Sequence, residues 1–461
     1  MTSAPGLLTT VFAFALVLGP LVLFHELGHY LVGRLFGVKA DAFSIGFGRE
    51  IVGWTDKRGT RWKLSILPLG GYVQFAGDMN PSSAPSPRED GLTPAERART
   101  FHAKPLWQRS LIVLAGPMTN LMLAIAVFAA FNYGYGRVEA DPVVLGFAQH
   151  SDARDAGLRV GDRVLAVDGQ KVASFTDIAP LVAPYPGRTL PLAIERDGRD
   201  FVLPVHLSAQ EVSDQFGNVA RVADLGVDYM PAVIGRFSKD SPAEYAGMQI
   251  GDRIVAVDGS PVRSFMDLID AVSPNPGRTV NVVIDRSGQS MAMEVHLEAA
   301  SALDEQGRRI TIGRLGIANS PGRIVPVGAF EAVGLASSQS VSLMRTMLDG
   351  IGQIVTGERS VKELGGPIKI AKYSGEQFSL GWPEFVNFVA LISINLAFIN
   401  LLPIPGLDGG HLAFYVAEFV RRRPLGARSQ EWAIRTGVML VLALMLFVTV
   451  NDLASLPIFG G

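Results

Sequence analysis

The stretch LLTTVFAFALVLGPLVLFHELGHYLVGRLF, residues 7–36, joins a long apolar run to two histidines and a glutamate. A helix needs about 20 mostly apolar residues to cross a bilayer, and the run from Leu7 to Phe24, continued through polar residues to Phe36, meets that requirement. It has no basic n-region and no A-x-A cleavage site, so we interpret it as a retained membrane helix rather than a signal peptide.

The polar residues of this helix form an H-E-x-x-H motif, His25-Glu26-Leu27-Gly28-His29. Four residues make about one helical turn, so both imidazoles face the same side and can hold one Zn²⁺ with Glu26 as general base. The alternative is a set of polar residues at the membrane surface. Because such groups are costly in lipid unless they are paired or liganded, the motif favours a functional site.

Three further apolar runs are long enough to span a bilayer: residues 111–133, 385–402 and 436–450. With 48% hydrophobic and 18% charged residues, the 461-residue chain is expected to form several units, some of them in lipid. It contains no cysteine, which excludes thiolate zinc ligands and a cysteine nucleophile. A net charge of −2 and the lack of any nucleic-acid motif argue against nucleic acid as a partner.

The third apolar run ends in NLLPIPGLDGGH, residues 400–411, which can supply the third zinc ligand. Its two prolines interrupt regular helix, and a break within a bilayer is tolerated only inside protein or beside a polar cavity. The break would let Asp408 turn inward. His411, three residues further along, is a competing ligand on composition alone.

A repeat occupies the segment between the second and third apolar runs. GLRVGDRVLAVDG at residues 157–169 recurs as GMQIGDRIVAVDG at residues 247–259, an offset of 90 residues. Each copy predicts a Gly-Asp turn, an alternating strand such as Arg163–Val167, an Asp-Gly turn, a short helix and another strand such as Leu190–Glu195. The pattern resembles the PDZ fold, whose domains capture peptide ends. Peptide binding and a spacer or size-filter role both stay open.

Basic residues in short loops predict the orientation. They cluster between spans one and two and between spans three and four: Lys57, Arg58, Arg61, Lys63, Arg97, Arg99, Lys104, Arg109, Arg421, Arg422, Arg423 and Arg428. We therefore expect these loops in the cytoplasm and both termini, with the PDZ-like copies, in the periplasm.

The two motifs together resemble the site-2 protease family of intramembrane zinc metalloproteases. The paired PDZ-like copies narrow the resemblance to the bacterial regulator of sigma-E protease type. This resemblance implies one Zn²⁺ per chain held by His25, His29 and Asp408, with Glu26 as the catalytic base. It also implies an inner-membrane enzyme whose active site lies towards the cytoplasmic side.

The resemblance extends to residues expected to bind substrate. They are Gly46, Phe47, Gly48, Gly70, Gly71 and Tyr72 in a membrane-re-entrant β-hairpin, together with Asn395, Asn400, Pro403 and Pro405. The two asparagines could instead join helices. AGPMTN at residues 115–120 resembles the family's G-P-x-x-N signature, in which Asn120 could simply be a helix-packing residue.

The predicted fold is a polytopic α-helical membrane protein with four transmembrane helices, a re-entrant β-hairpin and two periplasmic PDZ-like domains. Its parts are residues 1–36 (helix 1), 37–106 (cytoplasmic loop and hairpin), 107–135 (helix 2), 136–229 and 230–322 (PDZ-like domains), 323–382 (periplasmic membrane-associated helices), 383–420 (helix 3 with the L-D-G motif) and 421–461 (cytoplasmic loop and helix 4).

The expected activity is zinc-dependent hydrolysis of peptide bonds within the transmembrane segment of single-span membrane proteins. The resemblance implies substrates of the anti-sigma factor type and remnant signal peptides, with membrane lipid as a further partner. Two other classes stay open: a non-enzymatic receptor for exposed C-termini, and a metal transporter. Transporters usually repeat their spans, whereas the repeat here lies outside the spans.

Overall fold

The chain folds into two units, which are described separately. The computed structural model describes residues 5–77, 93–148, 150–213, 219–303, 309–320, 323–357, 361, 365–423 and 426–454. Residues 1–134 and 328–461 form one unit, here called the membrane unit, and residues 135–327 form the other, here called the repeat unit.

The first part of the membrane unit combines two long apolar helices with a two-stranded sheet. Its elements are α1 (Leu7–Leu35), β1 (Ala40–Thr55), β2 (Arg61–Phe75), α2 (Pro94–Arg97) and α3 (Leu106–Tyr135). Both α1 and α3 are long and apolar enough to cross a membrane. The H-E-x-x-H motif lies in the C-terminal half of α1, and AGPMTN lies in the middle of α3.

The sheet made by β1 and β2 is more elaborate than a plain hairpin. The first part of β1 pairs on one side with residues 71–75 of β2 and on the other with residues 61–64, and the second part of β1 pairs with residues 61–65. Residues 71–75 of β2 therefore form an edge, which has no second strand partner among the described residues.

Aromatic residues hold this sheet against α1. Phe43 of β1 stacks on Trp62 of β2 with ring centroids 4.4 Å apart, and Tyr30 of α1 meets both rings edge-on. Phe75 lies over Gly33, where α1 has no side chain to separate the two elements. Since buried aromatic rings remove large apolar areas from water or lipid headgroups, this cluster fixes the sheet beside the H-E-x-x-H turn.

The repeat unit contains two copies of one strand and helix order. After β3 (Arg137–Glu139), the first copy comprises β4 (Gly146–Phe147), α4 (Asp152–Asp155), β5 (Arg163–Val167), β6 (Gln170–Lys171), α5 (Ile178–Val182), β7 (Thr189–Arg196), β8 (Arg199–His206), β9 (Ala209–Ser213), β10 (Val219–Ala223) and β11 (Val227–Asp228). The predicted strand Arg163–Val167 is β5, and the predicted strand Leu190–Glu195 lies within β7.

The second copy repeats this order 90 residues later. It comprises β12 (Ile234–Phe237), α6 (Pro242–Tyr245), β13 (Arg253–Val257), β14 (Ser260–Pro261), α7 (Phe265–Val272), β15 (Thr279–Arg286), β16 (Gln289–His296), β17 (Glu298–Leu303), β18 (Arg309–Arg314) and β19 (Ile317–Asn319), followed by β20 (Arg323–Val325). The predicted boundary at residue 322 lies just before β20, which pairs with β3.

Each copy is built around a four-stranded sheet and a separate apolar core. The sheet orders are β6-β5-β7-β8 and β14-β13-β15-β16. Corresponding residues pair at corresponding places, Val164 with Ile194 in the first copy and Ile254 with Ile284 in the second. These four side chains are almost completely buried, so the alternating sequence pattern predicts the inward faces correctly.

A buried aspartate–arginine pair occurs at the same place in both copies. Arg196 donates to both carboxylate oxygens of Asp162 at 2.7 and 2.6 Å, and Arg286 donates likewise to Asp252 at 2.8 and 2.7 Å. Each aspartate belongs to the Gly-Asp turn, and its carboxylate also accepts a hydrogen bond from the backbone N–H three residues before it. The turn is thereby fastened to the end of β7 or β15.

The remainder of the membrane unit is helical: α8 (Ala329–Thr356), α9 (Pro367–Leu380), α10 (Trp382–Leu401), α11 (Asp408–Arg421) and α12 (Ala427–Ala454). Among the described residues, four helical stretches could cross a membrane: Leu7–Leu35, Leu106–Tyr135, Trp382–Leu401 and Gln430–Leu453. Asp452 of α12 accepts hydrogen bonds from the amides of Gly366 and Lys369 at the start of α9. This contact satisfies amides that a helix start leaves unbonded.

Candidate metal centre

The two histidines of the H-E-x-x-H motif project from the same side of α1. Their ring centroids lie 4.9 Å apart, and His25 Nε2 lies 3.2 Å from His29 Nε2. This is the arrangement expected from a four-residue spacing on a continuous helix. Both side chains are largely shielded, with exposed fractions of 10% and 12%.

The third predicted ligand reaches this position because the helical chain breaks before it. After α10 ends at Leu401, residues 402–407 run without regular helix, and α11 begins at Asp408. Asp408 Oδ2 lies 3.2 Å from His25 Nε2 and 3.5 Å from His29 Nε2. The helix break that the two prolines predict is therefore present, and it turns Asp408 towards the histidines.

Glycines allow α11 to fold back closely on the break. A Cβ added at Gly409 would overlap the carbonyl oxygens of Leu401 and Leu402, and one at Gly410 would overlap that of Ile404. The L-D-G-G sequence therefore permits a tight return that larger residues would block. His411, the competing ligand, lies outside the cluster that the described residues form and instead meets the edge of the Phe414 ring.

The three donor atoms fit a zinc ion. They lie within 4.8 Å of one another, and their chemistry is that of a zinc site with imidazole and carboxylate ligands. In a tetrahedral site with ligand bonds of about 2.0–2.1 Å, two ligand atoms lie roughly 3.3 Å apart, close to the separations found here. Asp408 retains 20% exposure, so this side of the cluster is the more open one.

The hydrogen bond of His29 also suits metal binding. Its Nδ1 lies 2.8 Å from the carbonyl oxygen of Ile112 on α3. Because a carbonyl oxygen only accepts, Nδ1 carries the hydrogen, and in the neutral ring the lone pair then lies on Nε2, facing the other two ligands.

Glu26 lies beside the cluster and next to the sheet. It is half-buried on α1, and a Cβ added at Gly71 of β2 would lie 3.0 Å from its Cγ atom. The backbone of Val73, also in β2, lies close enough to interact with its carboxyl group. The glutamate of the motif therefore stands between the histidines and the free edge of the sheet.

Glycines at the contact between α1 and α3 allow the two helices to pack closely beside the metal ligands. A Cβ added at Gly116 would overlap His29 Nε2, and one on α1 at Gly28 would overlap Thr119 and the Ala115 carbonyl. The two helices therefore approach each other through glycine on both sides. The G-P-x-x-N sequence places Gly116 where the metal-facing ring needs space.

Of the predicted substrate-binding residues of the sheet, Gly71 lies against Glu26. Gly46, Gly48 and Gly70 have positive φ angles of 88°, 91° and 157°, which disfavour any other residue. The Phe47 ring packs over Gly70 and stacks on Tyr72 with centroids 6.1 Å apart. The glycines therefore shape the strands, which accounts for their presence without reference to substrate.

The remaining predicted substrate residues lie at the end of α10. Asn395 and Asn400 are half-buried, and neither side chain makes a hydrogen bond with the part of the chain that the structure describes. Pro403 and Pro405 belong to the break that leads to Asp408. The structure thus does not show either asparagine joining helices, which was the alternative to substrate contact.

Two contributors to the site, the Ile112 carbonyl and Gly437, have no signal in the sequence, and the motif that contains a third, Asn120, does not indicate its contact. The Ile112 carbonyl is a backbone group, which any residue could supply. Gly437 of α12 lies so close to the break that a Cβ there would overlap the Pro405 carbonyl oxygen. Asn120, known from the sequence only as part of a signature, lies beside His25 with Nδ2 at 3.4 Å from Nδ1.

Two histidines and a glutamate on a helix that can cross a membrane, joined by an aspartate that follows a second such helix, define the centre of a metallohydrolase. The sequence profile of peptidase family M50 matches residues 13–444. The chain therefore belongs to peptidase family M50, and it is a zinc metalloprotease.

Relatives of known name agree with this assignment. A protein of Agrobacterium fabrum that carries the provisional name of a zinc metalloprotease is 36% identical over 98% of both chains. The regulator of sigma-E protease RseP of Escherichia coli is 32% identical, and the match covers 96% of this chain and 98% of that protein. This coverage makes the chain a homologue of both proteins over nearly its whole length.

Two solved structures of PDZ domains are similar to about a fifth of the chain. The PDZ domain of an SdrC-like protein from Listeria monocytogenes is 23% identical over 20% of this chain and 88% of its own, with a TM-score of 0.16. The corresponding domain from Listeria innocua is 21% identical over 21% of this chain and 99% of its own, with the same TM-score. At this score the two likenesses add nothing to the description above, and PDZ-like function stays a prediction.

Proposed function

We propose that this zinc metalloprotease hydrolyses peptide bonds within the transmembrane segment of single-span membrane proteins. The observation that carries the proposal is the meeting of His25, His29 and Asp408. The two histidines lie on a helix long and apolar enough to cross a bilayer, and Asp408 follows the end of another such helix by seven residues. A site so placed receives substrates that are themselves in the membrane.

The residues around the ligands can perform the hydrolysis. A bound zinc ion makes water acidic enough to serve as a nucleophile near neutral pH. Glu26 accepts a proton from the attacking water at its carboxylate, and the same carboxyl group then donates the proton to the leaving amine nitrogen. His25, His29 and Asp408 would hold the zinc ion.

The edge of β2 offers a place for the scissile segment. A substrate helix hides its carbonyl groups in hydrogen bonds, so it must unwind before hydrolysis. Residues 71–75 form an edge beside Glu26, where an extended peptide can replace those hydrogen bonds by strand addition. Asn395 and Asn400, whose side chains are free of hydrogen bonds to the described residues, would contact the substrate backbone from the opposite element.

The proposal includes location and substrate. The homology to a sigma-E regulating protease favours the bacterial inner membrane. The basic loops favour periplasmic termini and repeats, a membrane-re-entrant sheet, and a site towards the cytoplasm. Single-span substrates of the anti-sigma factor type and remnant signal peptides suit such a site.

Replacing Glu26 tests the catalytic role directly. In detergent-purified protein with a single-span model substrate, Glu26→Gln should abolish cleavage while zinc content stays at one per chain, because glutamine cannot accept and return the proton. Glu384→Gln, an exposed position at the start of α10, should retain both. Treatment with a chelator should stop cleavage by the native chain, and added zinc should restore it.

Two outcomes would overturn the proposal. Retained turnover by Glu26→Gln would exclude this residue as the proton carrier. Efficient cleavage of soluble peptides, with no cleavage of the single-span substrate, would exclude an intramembrane reaction.

A further inference from the structure

Asn120 is the one polar side chain of α3 that reaches the metal ligands among the described residues. Its side chain is completely buried, with Nδ2 at 3.4 Å from His25 Nδ1. Its Oδ1 atom is buried as well and has no hydrogen-bond partner in the described structure. A buried amide oxygen without a partner is uncommon in a folded protein.

The orientation of this amide decides which nitrogen of His25 carries hydrogen. With Nδ2 towards the ring, His25 Nδ1 would have to accept, and the neutral ring would carry its hydrogen on Nε2, the atom that faces Asp408. Oxygen and nitrogen of an asparagine amide exchange places by a half-turn of the side chain. The exchanged orientation gives Oδ1 a donor and frees the lone pair of Nε2.

We propose that Asn120 is a positioning residue whose Oδ1 accepts a hydrogen bond from Nδ1–H of His25. The bond holds the ring in the tautomer and orientation that present Nε2 to zinc. It also gives the buried Oδ1 atom of Asn120 a hydrogen-bond donor, so the same rotation satisfies both this oxygen and the Nδ1–H group of His25.

The other histidine supports this reading, because α3 already serves it in the same way. His29 Nδ1 donates to the Ile112 carbonyl at 2.8 Å. Ile112, Gly116 and Asn120 follow each other at intervals of four residues, so they share one face of α3. On that face, the Ile112 carbonyl accepts from His29, Gly116 leaves space for the His29 ring, and Asn120 would accept from His25. This accounts for the spacing of the G-P-x-x-N signature.

The backbone of Asn120 is fixed independently. Its carbonyl oxygen accepts a hydrogen bond from Ser393 Oγ of α10 at 2.8 Å, in a completely buried position. A purely structural role in joining α3 and α10 is thus already filled by the backbone of this residue. Ser393 offers a matched control, because it joins the same helices without contacting a ligand.

Zinc affinity of the full-length protein in detergent, measured by competition with a chelator, tests the proposal. Loss of an outer partner of a metal-bound histidine typically lowers affinity about 10–100-fold, and Asn120→Leu should fall in that range. Asn120→Asp, which can accept but not donate, should bind at least as tightly as the native chain. Ser393→Ala should bind like the native chain.

A nitrogen-15 spectrum of histidine-labelled, zinc-loaded protein gives a second readout that mere packing would not move. The native chain and Asn120→Asp should show His25 Nδ1 bearing hydrogen, and Asn120→Leu should show a changed Nδ1 shift. Native affinity in Asn120→Leu would overturn the proposal. Equal weakening by Asn120→Asp and Asn120→Leu would also overturn it, provided that the spectra show both variants folded.

The inference rests on the zinc site of the proposed function, but its test is independent of cleavage. Active Glu26→Gln protein would refute the proposed proton carrier and leave the affinities of the Asn120 variants unaffected. Unchanged affinity in those variants would refute the role of Asn120 and leave the hydrolysis proposal intact.

Discussion

The metal centre and the aspartate–arginine pairs of the repeats are both shielded polar clusters, but their partners differ. Asp252 accepts two hydrogen bonds from Arg286 and one from the Gln249 amide, so its charge is balanced within the chain. At the metal centre, two imidazole nitrogens and the Asp408 carboxylate converge on one another, with no Lys or Arg among the three. The charge of the aspartate in the repeats is thus balanced by an arginine of the chain, whereas the charge of Asp408 would be balanced by a bound metal cation.

The difference separates a stabilising carboxylate from a functional one. A carboxylate that has a guanidinium partner contributes to folding, and its loss should be felt locally. A carboxylate that faces two imidazole nitrogens is instead placed to share a metal ion with them. Substitution of Asp408 should therefore change zinc content and leave the stability of the repeats unchanged. Substitution of Asp252 should lower the stability of the second repeat and leave zinc content unchanged.

The largest effect is expected for Asp408→Asn. Removal of a direct ligand should lower zinc affinity by more than the about 100-fold that loss of an outer partner can cause, and cleavage should become undetectable. Zinc content and turnover measure this directly. Hydrogen exchange in β13–β16 should match the native chain, because the repeat unit folds around its own core. His411→Asn is the matched control and should keep zinc, since His411 lies outside the ligand cluster.

A smaller effect is expected for Asp252→Asn. Breaking a fully buried ion pair costs about 3–5 kcal/mol, but the Arg286 side chain keeps 26% exposure and can be rehydrated. We therefore expect a loss of about 2 kcal/mol in the unfolding free energy of the second repeat, seen as faster hydrogen exchange in β13 and β15. Zinc content should not change. The exposed Asp270→Asn serves as control, and equal exchange in both variants would contradict the assigned role.

The smallest effect is a pH dependence of the repeats. Hydrogen bonding from Arg286 lowers the pKa of Asp252 below its ordinary value. Burial pushes the pKa of Asp162 upward, but hydrogen bonds from Arg196 and the Arg159 amide outweigh it and the pKa is lowered too. A lowered pKa in the folded state means stability that is fully present above the ordinary value of about 3.9 and is lost as pH falls through the folded pKa.

Hydrogen exchange measured across pH checks this dependence. Protection of both repeats should stay level from neutral pH to about pH 5 and fall at lower pH. In Asp252→Asn the second repeat should lose part of this acid sensitivity, while the first repeat keeps its own. Identical acid profiles for the second repeat in native and variant chains would show that the pair does not set the pH dependence.

Much of the candidate site was predictable because it depends on short-range geometry. The spacing of His25 and His29 fixes their common side on any helix, and the two closely spaced prolines before Asp408 predict the end of the helix there. The repeats were evident because a stretch of 13 residues recurs at one offset with 8 identical positions. In each of these cases a local rule determines the outcome.

The features that escaped prediction depend on distant parts of the chain. The first part of β1 pairs on both sides because β2 curls around it, and no local pattern distinguishes this from a hairpin. The pairing of β3 with β20 joins strands that lie outside the repeated sequence. The Ile112 carbonyl belongs to the backbone, and only the positions of α1 and α3 make it an acceptor for His29.

The missing side chain at Gly437 ties the fourth membrane helix to the chemistry of the site. That helix contributes no ligand, yet the Pro405 carbonyl oxygen rests directly against its backbone. A single methyl group at this contact would push back the segment that ends in Asp408, and the displacement would arrive at the carboxylate three residues later. The backbone of this helix therefore helps to set the position of the segment that carries Asp408.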